Sequence, residues 1–373
     1  MARILVDLLS YTGTKGGMET HTRAVYTELG RLAPQHEFIG WASTEFLDLD
    51  HSWFPGEVVR SGWSGENRFA WAFAELFMVG RAARRHRADL IHAPATLGPW
   101  RSRVPAIYTM HDMLYFRAPE LMATPFYTKP VQWMEQRAAG NASLILTVSR
   151  DAAADITRYL RYPADRVLAI HSAGTLDPRV PATTVAREPD LFLAVGNRLP
   201  HKNFAGIVRA IAALPPAERP RLVVTGSRGD DPLRPLVEEL GVEPWVDLRS
   251  WVPDDELADL YSRATALIVA NFVDGFGLPI LDAMLVGLPV LVSDIAVYRE
   301  VAGDVAGYFD PTDIHSIAAA LRRAVTDPAW LGDLATRGRA HAAQFSWTAT
   351  ATETLAAFQR VLDDPRHPRG RRR

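Results

Sequence analysis

The sequence predicts an α/β protein built from two parallel-sheet domains that face each other across a cleft. Short apolar runs of β type alternate with amphipathic helical stretches along nearly the whole chain. The alternation breaks at a polar, proline-bearing segment, residues 177–190, and then starts again. A length of 373 residues suffices for two domains of ordinary size, each with its own core.

In the first half, strands are expected over Arg3–Leu8, Glu37–Trp41, Asp89–His92, Ala106–Met110, Leu144–Val148 and Val167–Ile170. Helices are expected over Glu19–Leu32, Phe69–Arg85, Tyr127–Ala139 and Arg150–Leu160, the last capped by Ser149. After the linker the expected strands are Leu191–Val195, Leu222–Thr225, Val246–Leu248, Ala266–Val269 and Val290–Val292. A final helix near Thr348–Leu362 precedes a basic tail over 364–373. The boundaries are therefore a first domain over 1–176, a linker over 177–190 and a second domain over 191–345. Open parallel sheets bind ligands beyond the carboxyl ends of their strands, so two of them offer two half-sites for joining two substrates.

Composition narrows the function. A net charge of −2 argues against general affinity for nucleic acid, which needs a basic footprint. The absence of cysteine excludes disulfides and thiolate-bound metal, and fits a cytoplasmic setting. The start, MARILVDLLS, runs into a strand pattern without signal-peptide character, and no apolar run reaches the roughly 20 residues a membrane span needs. These features predict a soluble protein. Its only lysines are Lys15, Lys129 and Lys202.

The segment Asn271–Asp294 carries the strongest chemical signal. Asp274 and Asp282 stand eight residues apart around a Gly-Phe-Gly-Leu-Pro turn, with Pro279 suited to a helix start. Gly275 and Gly277 let the backbone approach a ligand and present amides at that start. Amides for oxyanions and carboxylates for hydroxyls suit a phosphorylated, polyhydroxylated ligand. An ordinary capped helix whose aspartates answer its dipole fits the local pattern equally well. After the expected strand Leu191–Val195, Arg198 and Lys202 can form a phosphate site without a metal, or sit in water on an exposed loop. In the first half, Gly13, Gly16 and Gly17 lack dinucleotide-fingerprint spacing and read as a flexible loop closing over a substrate. His111 and Asp112 follow the strand Ala106–Met110 at its carboxyl end, where His111 is as readily a structural residue as a cleft residue.

Taken in order, GGMETH, YTMHDM, TVSRDAAADI, FLAVGNRLPHKN, WVPDDELADLY, VDGFGLPILDAMLVGLPV and YREVAGDVAGYFDP resemble the retaining glycosyltransferases of family four. The likeness covers nearly the whole chain and is nearest to the bacterial mannosyl- and rhamnosyltransferase-like branch. It implies the GT-B fold of two Rossmann-like domains, with acceptor bound by the first and a nucleoside-diphosphate sugar by the second. It implies Arg198 and Lys202 as diphosphate cations, Asp282 on the ribose and Asp274 on the donor sugar. Amides from Gly275, Phe276, Gly277 and Leu278 would line the sugar and phosphate pocket. His111 would contact the transferred sugar, and the loop at Gly16 and Gly17 would approach the diphosphate. The helix over 346–363 would cross back to the first domain. No cofactor and no metal are implied; the nucleotide sugar is a co-substrate.

The sequence departs from the family where both members of the usual Glu-x7-Glu pair are aspartates. His201 replaces a usual arginine, Asn271 a common serine and Arg299 a proline. Rival readings are a nucleotide-sugar epimerase, a disaccharide phosphorylase or a non-catalytic sugar-nucleotide binder. Asp48-Leu49-Asp50 offers a metal-dependent single-domain transferase, a reading weakened by its place in a polar turn. The stretch Arg68–Arg87 has the make-up of an interfacial helix, although its many apolar positions favour burial against the sheet. Membrane contact, if made, is expected to be peripheral and to anionic lipid, aided by the arginine tail.

Overall fold

The computed structural model describes residues 1–122, 124–176 and 187–365. Most of the expected linker (177–186) and of the basic tail (366–373) lies outside the described residues. The chain divides into two compact units. One draws on Met1–Arg117, Ala123–Ser172 and Ser346–Arg373, the other on Ala118–Met122 and Ala173–Phe345.

The first unit holds seven parallel strands: β1 (Arg3–Leu8), β2 (Glu37–Ala42), β3 (Glu57–Arg60), β4 (Leu90–Ala93), β5 (Ala106–Thr109), β6 (Leu144–Thr147) and β7 (Val167–Ala169). Their spatial order is β3-β2-β1-β4-β5-β6-β7. Side chains alternate along a strand, so β1 feeds two cores. Ile4, Val6 and Leu8 join Tyr26 and Leu29 of the helix Gly17–Leu32 and Phe358 of the helix Trp347–Leu362. Leu5 joins the opposite cluster with Val79, Ala83 and Ala138. Each fully buried Leu or Ile contributes roughly 1.5–3 kcal/mol. Ser149 caps the helix Arg150–Leu160, its Oγ accepting from the Ala152 amide at 3.1 Å.

The second unit holds six parallel strands: β8 (Leu191–Val195), β9 (Arg221–Ser227), β10 (Val246–Ser250), β11 (Ala266–Val269), β12 (Val290–Ser293) and β13 (Gly307–Phe309), in the order β10-β9-β8-β11-β12-β13. Phe192, Val224, Ile268 and Leu291 pack with Ile207 and Ile211 of the helix Phe204–Ala213. Each sheet reverses its strand order once, at β1/β4 and at β8/β11, the places where such sheets open a crevice for ligands.

β3 and β13 were not foreseen; both are short edge strands, of four and three residues. The expected helix over Phe69–Arg85 runs as Arg68–Phe73, a π-helical turn over Ala74–Met78, and Val79–Arg85. The turn lies where Glu75 is driven inward beside Asp7 of β1. Burial lifts the Asp7 pKa to about 6 and that of Glu75 well above the usual range.

Glu135, on the helix Pro125–Ala139, is 4% exposed and its Oε2 has no hydrogen-bond partner among the described residues. Burial first, then the charge of Asp112, push its pKa to about 8. The folded state therefore keeps a proton that the unfolded chain releases near pH 4.5. Stability falls as pH rises from about 4.5 to about 8. Glu135→Gln should raise the melting temperature progressively across that window, with the largest gain at pH 9. Melting curves showing the same difference at pH 5 and pH 9 would remove the titration from the account.

Candidate active site

β8 ends at Val195, and the chain passes through Gly196, Asn197, Arg198 and Leu199 into a 3-10 turn, Pro200–Lys202. Asn203 closes the turn in the left-handed region (φ 54°), which asparagine tolerates, and its Nδ2 donates to the Pro311 carbonyl at 2.9 Å. This places Lys202 ahead of the helix Phe204–Ala213. β11 is the hydrogen-bonded neighbour of β8, and its carboxyl end continues into Asn271–Gly277. The switch point of the second sheet thus brings the two loops together: Lys202 Nζ lies 3.5 Å from Asp274 Oδ2.

Asp274 is held on several sides. Its Oδ2 accepts from Tyr298 Oη and from Asn271 Nδ2, both at 2.8 Å, and its Oδ1 from the Gly275 amide at 2.8 Å. Burial pulls its pKa upward, but the Lys202 ammonium and these donors outweigh it and hold the carboxylate ionised. The Gly275 amide, expected to line the ligand pocket, is instead used by this neighbouring carboxylate. Gly277 has φ +100° and opens the helix Leu278–Leu285. A Cβ there would stand 2.9 Å from Tyr298 Cε1 and from Ile280 Cδ1, so only glycine lets Tyr298 reach Asp274. Pro279 is the second residue of that helix rather than the first.

Asp282 lies one turn into the same helix. Its Oδ1 accepts from the Thr175 amide, from Thr175 Oγ1 at 3.0 Å and from the Leu176 amide at 3.3 Å. Burial raises its pKa against those bonds. One oxygen is thus committed to the 175–176 backbone, leaving Oδ2 as the acceptor for any ligand.

Arg198 departs from its expected role. Its guanidinium is buried against Asp231, with Nη2 to Oδ2 at 2.8 Å. Its remaining donors go to the carbonyls of Gly196, Thr225, Val224 and Arg249. A fork spent on the ends of β8, β9 and β10 has nothing left for a diphosphate. His201 adds no charge either. Its side chain is buried, and burial, then the nearby Lys202, lower its pKa to about 4.

In the first unit, Gly16 (φ 60°) precedes the helix Gly17–Leu32, of which Gly17 is the first residue. The loop before it is tied down rather than slack. Glu19 Oε1 accepts from the amides of Thr12 and Gly13 at 2.7 and 3.1 Å, and the Lys15 ammonium lies 5.0 Å from the Trp71 ring. A cavity under this loop is bordered by Asp7, Ser10, Lys15 and Glu19. His111 follows β5, buried, with Nε2 donating to the Pro94 carbonyl at 2.9 Å. A carbonyl can only accept, so the proton sits on Nε2 and Nδ1 is left as an acceptor. Burial lowers the His111 pKa to about 4. Its ring meets His21 edge-on at 5.0 Å, and His21 Nδ1 pairs with Ser172 Oγ at 2.9 Å. Asp48 and Asp50 belong to local turns; Asp50 Oδ1 accepts from the Ser52 amide.

Known proteins place these geometries in a family. Residues 15–173 match the profile described as Glycosyltransferase Family 4, and residues 180–343 match Glycosyl transferases group 1. The O-antigen chain mannosyltransferase B of Escherichia coli is 35% identical over 295 residues, covering 74% of this chain and 76% of that protein. The chain is a family-four glycosyltransferase. The MMP alpha-(1->4)-mannosyltransferase of Mycolicibacterium hassiacum is 27% identical over 75% of the transferase and 72% of its own length. Among solved structures, sucrose-phosphate synthase from Thermosynechococcus elongatus superposes with a TM-score of 0.75 at 19% identity, covering 96% of this chain and 99% of that one. Anabaena HepE, solved in complex with UDP-glucose, gives 0.72 at 17% identity over 96% and 100%. The fold is GT-B, with two Rossmann-like parallel-sheet units.

Within the glycosyltransferase, Tyr298 and His21 were not foreseen as site residues. Tyr298 sits 24 positions after Asp274 and carries no local spacing signal. His21 is visible in the GGMETH motif, but its ring contact with His111 is not.

Proposed function

We propose that this glycosyltransferase moves a hexose, mannose-like by its relatives, from a nucleoside-diphosphate sugar to a hydroxyl of a glycan, lipid-linked or small-molecule acceptor. The transfer retains anomeric configuration and proceeds without a metal. The observation that carries the reading is the Lys202–Asp274 pair at the switch point of the second sheet. As the glycosidic carbon–oxygen bond breaks, negative charge grows on the departing diphosphate, and the Lys202 ammonium neutralises it. Asp274 accepts a hydrogen bond from a hydroxyl of the donor sugar, and Asp282 Oδ2 one from the ribose. The amides of Gly277 and Leu278, at the start of the helix Leu278–Leu285, support the oxyanions. In the first unit, His111 Nδ1 is a hydroxyl acceptor at the carboxyl end of β5. Among the described residues no side chain stands out as a covalent nucleophile, which favours a dissociative, same-face route.

Calorimetric titration with UDP, GDP, dTDP and ADP in EDTA tests the donor site. One nucleotide should bind, and Asp282→Ala should weaken that binding on the order of 10-fold. Binding of none of the four, or equal binding by Asp282→Ala, would overturn this assignment.

A further inference from the structure

The helical run from Arg68 to Arg85 does more than cover the sheet. One side is buried through Ala74, Leu76, Val79 and Ala83, as its composition favours. The other side keeps phenylalanines in solvent: Phe69 is 90% exposed and Phe73 48%. Phe73 starts a continuous row of rings. It meets Trp63 at 5.5 Å and Phe77 at 5.2 Å; Phe77 meets Trp100 at 5.8 Å, and Trp100 meets Trp133 at 5.5 Å. At the helix start Arg68 lies over Tyr127 at 5.2 Å, and the residue before Tyr127 is Phe126, 94% exposed. Three separate stretches of chain thus build one aromatic surface, and exposed phenylalanines this numerous on a folded unit call for an occupant.

The charges around the row identify that occupant. Both carboxylates on the two helices, Glu75 and Glu135, are buried. Apart from Glu66 just ahead of the first helix, the exposed ionic groups are cationic: Arg68, Arg81, Arg84, Arg85, Lys129 and Arg137 on the two helices. Arg137 lies 5.6 and 5.7 Å from the Trp100 and Trp133 rings, and Arg101 lies 5.6 Å from Trp100. Rings at the level of the acyl boundary, with cations standing at the headgroups, are the pattern of a surface that lies in a membrane interface. No helix among the described residues is long and apolar enough to cross a membrane. We propose that this aromatic and arginine face of the first unit docks the protein peripherally on an anionic lipid bilayer.

The test is co-sedimentation of the full chain with vesicles of phosphatidylglycerol and phosphatidylcholine, against phosphatidylcholine alone. Binding should require the anionic lipid and weaken as salt rises. The double change Phe69→Ala with Phe126→Ala, the two rings most open to solvent, should reduce partitioning on the order of 10-fold. Arg81→Glu with Arg84→Glu should reduce it comparably. Because these side chains are exposed, melting temperatures should stay at the wild-type value, which separates lost docking from lost folding. No sedimentation with anionic vesicles would overturn the proposal. Unchanged partitioning of the phenylalanine pair would also do so, by placing the contact elsewhere in the chain. Loss of self-association instead of vesicle binding would identify the occupant as a second copy.

Discussion

Lys202→Ala should slow turnover at saturating donor on the order of 100-fold or more, with a smaller loss of nucleotide affinity. The size of the effect follows from what surrounds it. Of the three basic side chains in the loop after β8, Arg198 is consumed by Asp231 and four carbonyls, and His201 is neutral above about pH 4. Of these three, Lys202 keeps a partly exposed side chain, 22% accessible, with its ammonium beside Asp274. A donor that departs as a diphosphate develops most of its charge in the transition state, so removing this cation acts on kcat more than on binding. Lys202→Arg keeps the charge but replaces a compact ammonium with a planar fork beside a crowded carboxylate, and should restore only part of the rate. Steady-state kinetics on the three proteins check this. Turnover of Lys202→Ala within about threefold of wild type would move leaving-group stabilisation to another residue.

The contrast between Lys202 and Arg198 marks what the sequence makes legible. Buried strands announce themselves as apolar runs, so β1, β8 and β11 stand at the residues expected, and the loops after them hold the polar residues of the second sheet's site. β3 and β13 escape because each is short and carries only two apolar residues, Val58 and Val59 between charges in one and Tyr308 and Phe309 after a glycine in the other. A residue's type and its place at a strand end are local properties. Its partner is not. Asp231, which removes Arg198 from the ligand site, lies 33 positions away, and Tyr298 lies 24 positions beyond Asp274. Glu75 is a similar case. Its sequence context reads as an amphipathic helix, but a π-helical turn and Asp7 put its carboxyl in the core.

Asp274→Ala and Asp274→Asn should separate the carboxylate's chemical role from its structural one. Alanine leaves the fully buried Tyr298 hydroxyl without its acceptor, at a cost of about 1–3 kcal/mol, and leaves Lys202 without its counter-charge. A lower melting temperature and a rate loss on the order of 100-fold or more are expected together. Asparagine keeps a carbonyl oxygen for Tyr298 while removing the negative charge. Asp274→Asn should therefore lose less in melting temperature than the alanine variant, although its Nδ2 must then face either the Gly275 N–H or the donors on Oδ2. It should still lose on the order of 10-fold or more in kcat/KM, because a hydroxyl of the sugar then meets a weaker acceptor. Because Lys202, Tyr298 and the Gly275 amide hold Asp274 ionised below the usual carboxylate range, any acid limb of the pH–rate profile near neutrality must belong to another group. Wild-type turnover by Asp274→Asn, with only the alanine variant impaired, would reduce Asp274 to a support for Tyr298 and Lys202.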